Sequence, residues 1–470
     1  MQKAVGHILA VLRRILWIGL SLQIVMGLIW MLVSFTGFQR FGESFYYIEV
    51  SKSLLCDEYT GALYPILVML ARGIEGLLHI PYTYVIYFLQ LAVAGYAGYF
   101  FLKAAGMENK ITRVWGSLGI MTFPMVMQCH MAVLPYSLVS SVLLLELACM
   151  IEVVRSQALS TIWKLFHMSI CWVLTGLLLP EYLYIGGAPV VLLFLYSCVK
   201  RPRPTGKSIL YQILLVAAFA GMIVAVTDLT QEEGCYGRVH KSVNAALYRR
   251  FVTSNIETYY WECADEVGEE KILDFLPEVI AYPDNVERLY QRAVQEAVGA
   301  ERAEELFGEV AWYALSRDYR SIIHEVFWDV SGFVVPPVIL ELLLQGRGYD
   351  AYGGRNYEIM RQNAPALTKL YVEYSSNWLL LGIGIGALMQ LLLLLKKQKI
   401  RSFPGIVCII TGGVIAVWYT MQGAGIWDYK QGLLIGELWM AWMVLLAGCS
   451  TKEEGQCRNE NSVKTLRNGD

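Results

Sequence analysis

The chain has 470 residues, of which 56% are hydrophobic, and a mean hydropathy of +0.46. Soluble domains hold roughly 45–50% apolar residues, so the excess must face something other than water. A net charge of −2 gives no nucleic-acid signature, and 13% aromatics, with 29 Tyr and 13 Trp, suit a chain anchored at two membrane–water interfaces.

In chain order, apolar segments fall near 15–36, 81–102, 114–131, 136–154, 165–180, 183–199, 208–227, 377–395, 404–421 and 432–449. Most reach about 17–22 residues, enough to cross a hydrocarbon core of roughly 30 Å. Arg13 and Arg14 precede the first run, but no small-residue cleavage site follows it, so it reads as an uncleaved span rather than a signal peptide. The run from 165 to 199 breaks at Pro180-Glu181, which reads as a tight turn between two spans.

Placing the N-terminus in the cytoplasm puts 20 Lys and Arg in cytoplasmic segments, against four in short outer loops: Arg40, Lys52, Arg72 and Lys430. That bias predicts both termini inside. Segment 228–376 is then extracytoplasmic, with 25 acidic against 14 basic residues, a balance of −11. Its stretch from about 265 to 311 reads as helix, and Pro336-Pro337 with Gly346, Gly348, Gly353 and Gly354 interrupts it.

Segment 61–80 is apolar but carries Arg72 and Glu75 in its middle. Counting it as a span would invert every later loop, so an interfacial helix on the outer surface is expected. The predicted architecture is an all-α polytopic membrane protein of about ten transmembrane helices. Residues 1–227 form a membrane domain of seven spans, with a first outer loop at 37–80. Residues 228–376 form a mainly helical extracytoplasmic domain, 377–449 hold three further spans, and 450–470 form a polar cytoplasmic tail.

The first outer loop carries the densest chemistry. FGESFYYIEVSKSLLCDEYTGALYP, residues 41–65, sets Glu43, Glu49, Asp57 and Glu58 among aromatics, and Gly61 and Pro65 then bend the chain into the interfacial helix. A carboxylate held within hydrogen-bond reach can deprotonate an acceptor hydroxyl, whereas exposed acids need serve no purpose beyond solvation. GRVHKSVNAALYRRF, 237–251, gathers Arg238, His240, Lys241, Arg249 and Arg250 within an otherwise acidic segment. Arginine forks grip phosphate bidentately, though such a cluster also suits headgroup anchoring or pairing with neighbouring acids. GAGIWDYKQ, 423–431, adds Asp428 and Lys430, which could close a site or simply form an ion pair in an aromatic belt.

One span, a short outer loop with an acid a few positions in, a second acidic site, then G-x-x-Y-P opening an interfacial helix: this order resembles the GT-C superfamily. That group comprises multi-span glycosyltransferases, including protein O-mannosyltransferase-like and aminoarabinose-transferase-like branches. The resemblance covers the topology of the chain and, at motif level, residues 39–82. LLPEYLYI, 178–185, is similar to the R-P-E-like outer element of such enzymes but lacks the arginine, and Glu43 stands where Asp is more usual.

The resemblance implies a polyprenyl-phosphate sugar donor, an extracytoplasmic lipid, glycan or protein acceptor, and a plasma- or inner-membrane location. It implies Glu43 as general base, with Asp57 or Glu58 as the second acid. The basic stretch would hold the donor phosphate, and Tyr46, Tyr64, Glu181, Asp428 and Lys430 would line the site. A divalent metal is compatible with the pattern but nothing requires one.

Two intramembrane acids, Glu146 and Glu437, are costly in lipid and are expected to be hydrogen-bonded inside the bundle. Alternatively they serve an ion path, which would fit a lipid-linked oligosaccharide flippase or transporter. A non-catalytic envelope scaffold is the third reading. The ten cysteines show no C-x-x-C, and pairing among Cys56, Cys235 and Cys263 is open. There is no G-x-x-x-x-G-K-[ST], H-E-x-x-H or G-x-S-x-G, which leaves P-loop, zinc-protease and serine-hydrolase chemistry unsupported.

Overall fold

A computed structural model describes residues 2–34, 42–53, 61–155, 161–179, 182–199, 210, 213–214, 217–222, 225, 244, 299–334, 365–395, 399–421 and 433–448. Every element among them is a helix. In order these are α1 (Gln2–Ser34), α2 (Gly42–Ser53), α3 (Leu63–Leu78), α4 (Tyr82–Ala104), α5 (Lys110–Met121), α6 (Pro124–His130) and α7 (Tyr136–Arg155). There follow α8 (Thr161–Leu178), α9 (Leu183–Val199), α10 (Ala300–Val334), α11 (Pro365–Leu395), α12 (Lys399–Met421) and α13 (Leu433–Gly448).

Four helices among the described residues are long and apolar enough to cross a membrane: Val5–Val33, Tyr82–Ala104, Tyr136–Val153 and Ala366–Leu395. Trp163–Leu178, Phe403–Val417 and Leu433–Gly448 are shorter apolar helices. Helices therefore stand at nine of the ten apolar segments, and in the tenth, 208–227, the half of the positions that are described are all helical. The surfaces of α1 and α11 keep large aliphatics exposed, Leu32 at 77% and Leu395 at 71% among them. Such a surface suits lipid and would be untenable in water.

The centre of the bundle is α13. Every residue from Leu433 to Ala447 is buried, as expected of a helix that is apolar all round. It packs against α1, α5, α11 and α12, and less extensively against α4, α6 and α7. Small residues admit it. A Cβ on Gly382 would meet Met443 Sδ at 2.2 Å, and one on Gly386 would meet the Trp442 ring at 2.8 Å. These two glycines, four apart on α11, let the helices approach closely.

The structure departs from the sequence expectation at two places. The segment at 114–131 is not one helix but two, broken at Thr122-Phe123 ahead of Pro124. Proline has no N–H to continue the ladder and disfavours helical backbone in the residue before it. The freed carbonyl of Thr122 accepts a hydrogen bond from the Tyr371 hydroxyl, so the break is closed by α11. Second, α11 starts at Pro365, so the boundary drawn at 376/377 falls inside a helix. Its first turns are too polar for a hydropathy window but bury one face, with Thr368 accepting from Trp30 Nε1 at 3.1 Å and Tyr371 lying 5.4 Å from the Trp30 ring.

α10 bends at Asp318 and packs against α12. It covers part of the segment assigned to the acidic domain; residues 245–298 and 335–364 lie outside the described residues. The buried thiols of Cys129, Cys149 and Cys408 and the half-buried Cys171 form no disulfide and sit on apolar helices, where sulfur packs as a small hydrophobe.

Candidate functional site

The first loop folds back as a hairpin of two helices. α2 is the next described helix after α1, with Tyr47, Val50 and Ser51 buried on it. α3 opens after Gly61, and Pro65 falls within its first turn, where a missing N–H costs no bond. The buried residues of α3 are Tyr64, Pro65, Val68 and Ala71, a helical stripe, while Leu70, Leu77 and Leu78 remain exposed. A helix apolar on both sides, with Arg72 and Glu75 between them, suits a bundle on one side and lipid on the other. His79 ends it in the left-handed conformation at φ 56°, its N–H bonded to Glu75 O at 2.9 Å.

The two helices are joined by Tyr47 and Tyr64, whose rings meet edge to face with centroids 5.2 Å apart. Arg72 reaches Ser51 Oγ at 3.5 Å. The Tyr64 phenol is wholly buried and its hydroxyl has no hydrogen-bond partner. Burial, with the Tyr82 phenol beside it, pushes the Tyr64 hydroxyl well above its usual range.

Gly61 seats this hairpin on the end of α8, close against the backbone of Leu177 and Leu178. Beyond Leu179 the chain returns at Tyr182, which is buried and packs against Tyr136 with ring centroids 6.4 Å apart. The first loop and the flanks of the LLPEYLYI element are therefore neighbours at one end of the bundle.

Of the site residues expected from sequence, only Tyr64 has a described side chain. Glu43 and Tyr46 lie on α2, where helical spacing puts position 43 on the stripe of Tyr47 and Val50. Asp57, Glu58, Glu181, Arg238, His240, Lys241, Arg249, Arg250, Asp428 and Lys430 lie outside the described residues, as do Cys56, Cys235 and Cys263. Glu49 is described and exposed, and both its oxygens pair with Lys52 at 2.6 and 2.7 Å.

Sequence reasoning singled out Glu437 alone and missed a second constellation, buried where α6, α7 and α13 meet. His130, Ser137, Ser140, Ser141 and Glu437 are each no more than 2% exposed. Ser140 lies 3.0 Å from Glu437 Oε1, which meets the expectation that Glu437 is hydrogen-bonded. Glu146 differs: both its oxygens are buried with no hydrogen-bond partner. The serines give no signal in a hydropathy window, and His130 falls at the end of an otherwise apolar run. Their buried polarity becomes apparent only once the helices are packed.

Beside this cluster, Gln90 on α4 directs its amide at the carbonyls of Cys129, Ala132 and Leu134, at 3.4, 3.1 and 3.4 Å. It thereby supplies the non-helical turn between α6 and α7 with donors that lipid cannot provide. No group of three metal-ligating side chains comes together among the described residues. No protein-family model matches the sequence, and neither a curated protein nor a solved structure matches it.

Proposed function

We propose that the chain is a membrane glycosyltransferase moving a sugar from a polyprenyl-phosphate donor to an extracytoplasmic acceptor. In this reading it crosses the membrane about ten times, with both termini cytoplasmic and residues 228–376 outside. Glu43 takes the proton of the acceptor hydroxyl as the acceptor oxygen bonds to the anomeric carbon. The bond from that carbon to the phosphate oxygen breaks, and polyprenyl phosphate leaves. Asp57 or Glu58 provides the second acid. Arg238, His240, Lys241, Arg249 and Arg250 hold the phosphate, and Tyr46, Tyr64, Glu181, Asp428 and Lys430 line the site.

The observation that carries the reading is the seating of the first-loop hairpin. Position 43 shares the stripe of Tyr47, Tyr47 packs on the buried Tyr64, and Gly61 brings both to the end of α8 beside the stretch that holds Glu181. The test is transfer of labelled sugar from polyprenyl-phosphate hexose or pentose by proteoliposomes containing the purified chain. Loss of a general base costs about 10²–10⁴-fold, which is the expectation for Glu43→Gln. Full transfer by folded Glu43→Gln and Asp57→Asn proteins would overturn the mechanism.

One observation favours a second reading, a flippase or transporter: the unpartnered Glu146 in the interior of α7. Intramembrane acids of this kind mark ion and proton pathways. If wild-type proteoliposomes transfer no sugar but move a lipid-linked sugar across the bilayer, and Glu146→Gln stops it, the transporter reading replaces the transferase.

A further inference from the structure

The cluster between α6, α7 and α13 places one serine hydroxyl between two oxygens, a main-chain carbonyl and Oε1 of the buried acid. Ser140 Oγ lies 3.1 Å from the Ser137 carbonyl oxygen and 3.0 Å from Glu437 Oε1. A hydroxyl has one hydrogen, and both of these oxygens are acceptors when the carboxylate is ionised, so only one contact could then be a hydrogen bond. With a proton on Glu437 Oε1 both are made: the carboxyl donates to Ser140, and Ser140 donates to Ser137. Ser141 adds a second donor to the same carbonyl at 2.8 Å, and His130 Nδ1 meets Ser137 Oγ at 2.5 Å.

The surroundings agree. Glu437 Oε2 is buried without a hydrogen-bond partner, and no cation of the described residues is within ion-pair distance of the carboxyl. The helices packed on α13 bring few charges towards it. His130 on α6 belongs to the cluster, and Glu146 on α7 lies six positions beyond Ser140. Arg113 on α5 and Lys399 on α12 fall in the first turns of their helices, Lys103 on α4 in the last and Arg13 in the first half of α1, and Lys369 and Glu373 on α11 are exposed and face each other at 3.6 Å. A buried carboxylate with one hydrogen bond and no cation carries a desolvation cost that protonation removes.

We infer that Glu437 is a proton-holding site, kept as a neutral carboxylic acid that donates to Ser140 and ties α13 to α7. The inference stands apart from the transferase reading, since none of its residues belongs to the first-loop site. Infrared difference spectra of the full chain in lipid nanodiscs at neutral pH test it, comparing wild type with Glu437→Gln and with Ser140→Ala. The expected result is loss of a carboxylic-acid C=O band in Glu437→Gln and displacement of that band in Ser140→Ala, with carboxylate bands unchanged in both. If Glu437→Gln does not fold, the Ser140→Ala spectrum decides alone. Loss or displacement of a carboxylate band, with the acid band untouched, overturns the proposal.

Discussion

Gly61 and Leu177 touch through their backbones: a Cβ on Gly61 would lie 2.0 Å from the Leu177 carbonyl oxygen and 2.6 Å from the carbonyl carbon of Leu178. No side chain fits without moving α3 off α8. Gly61→Ala is therefore expected to lower stability by at least the usual cost of overpacking, about 1–3 kcal/mol. Thermal unfolding in detergent measures it, and a Gly73→Ala control in the same helix, where the space is open, should hold or raise stability by up to about 1 kcal/mol.

Tyr64 separates a packing role from a substrate role. Its buried hydroxyl lacks a partner, so Tyr64→Phe should leave stability unchanged or raise it by about 1 kcal/mol. If the phenol serves a substrate, the same variant loses transfer while keeping its unfolding temperature.

The same phenol also gives a pH dependence. Its folded value is raised above the ordinary 10.0 by burial and by Tyr82, so the fold holds a proton that the unfolded chain releases. That contribution to stability is whole below about pH 10 and is lost as pH climbs towards the folded value. Unfolding temperatures followed into the alkaline range should fall less steeply for Tyr64→Phe than for wild type.

Gln90 has two amide hydrogens for three buried carbonyls, that of Cys129 on α6 and those of Ala132 and Leu134 in the turn after it. Gln90→Leu keeps the volume and removes both donors. The expected loss is about 1–3 kcal/mol, the cost of leaving buried acceptors unsatisfied, read from thermal unfolding.

At Gly386 any larger residue must displace Trp442, whose Nε1 donates to Gln390 Oε1 at 3.4 Å. Gly386→Leu should destabilise the bundle and expose the indole, seen as a red shift and increased quenching of tryptophan emission.

How much of this could be read in advance differs by kind of interaction. Helices stand where nine apolar segments were read, because a membrane helix announces itself by composition alone. The helix at Leu63–Leu78 was legible from the apolar run at 61–80. The break at Thr122-Phe123 was signalled by Pro124 but overruled by the apolar run around it. The early start of α11 was hidden because Thr368 and Tyr371 are buried by partners more than 200 positions away in sequence. Within the candidate site, Gly61 was read as a bend, while the contact that requires it, with the end of α8, is set by tertiary packing. Likewise Glu437 was noticed as a lone acid, but its partner Ser140 lies 297 positions distant.

The burial of α13 on every face bears on how the molecule is made. Chains emerge from the ribosome N-terminus first, and helices are handed to the membrane in that order. The helix at the centre of the bundle is thus synthesised after all the described helices that surround it. Until Leu433–Gly448 arrives, α1, α5, α7, α11 and α12 must wait around an unfilled slot, with Gly382, Gly386 and Ser140 facing whatever occupies it. A ribosome stalled before residue 433 would leave nearly every span inserted and no centre for them to close upon, a state that cellular surveillance should recognise and destroy.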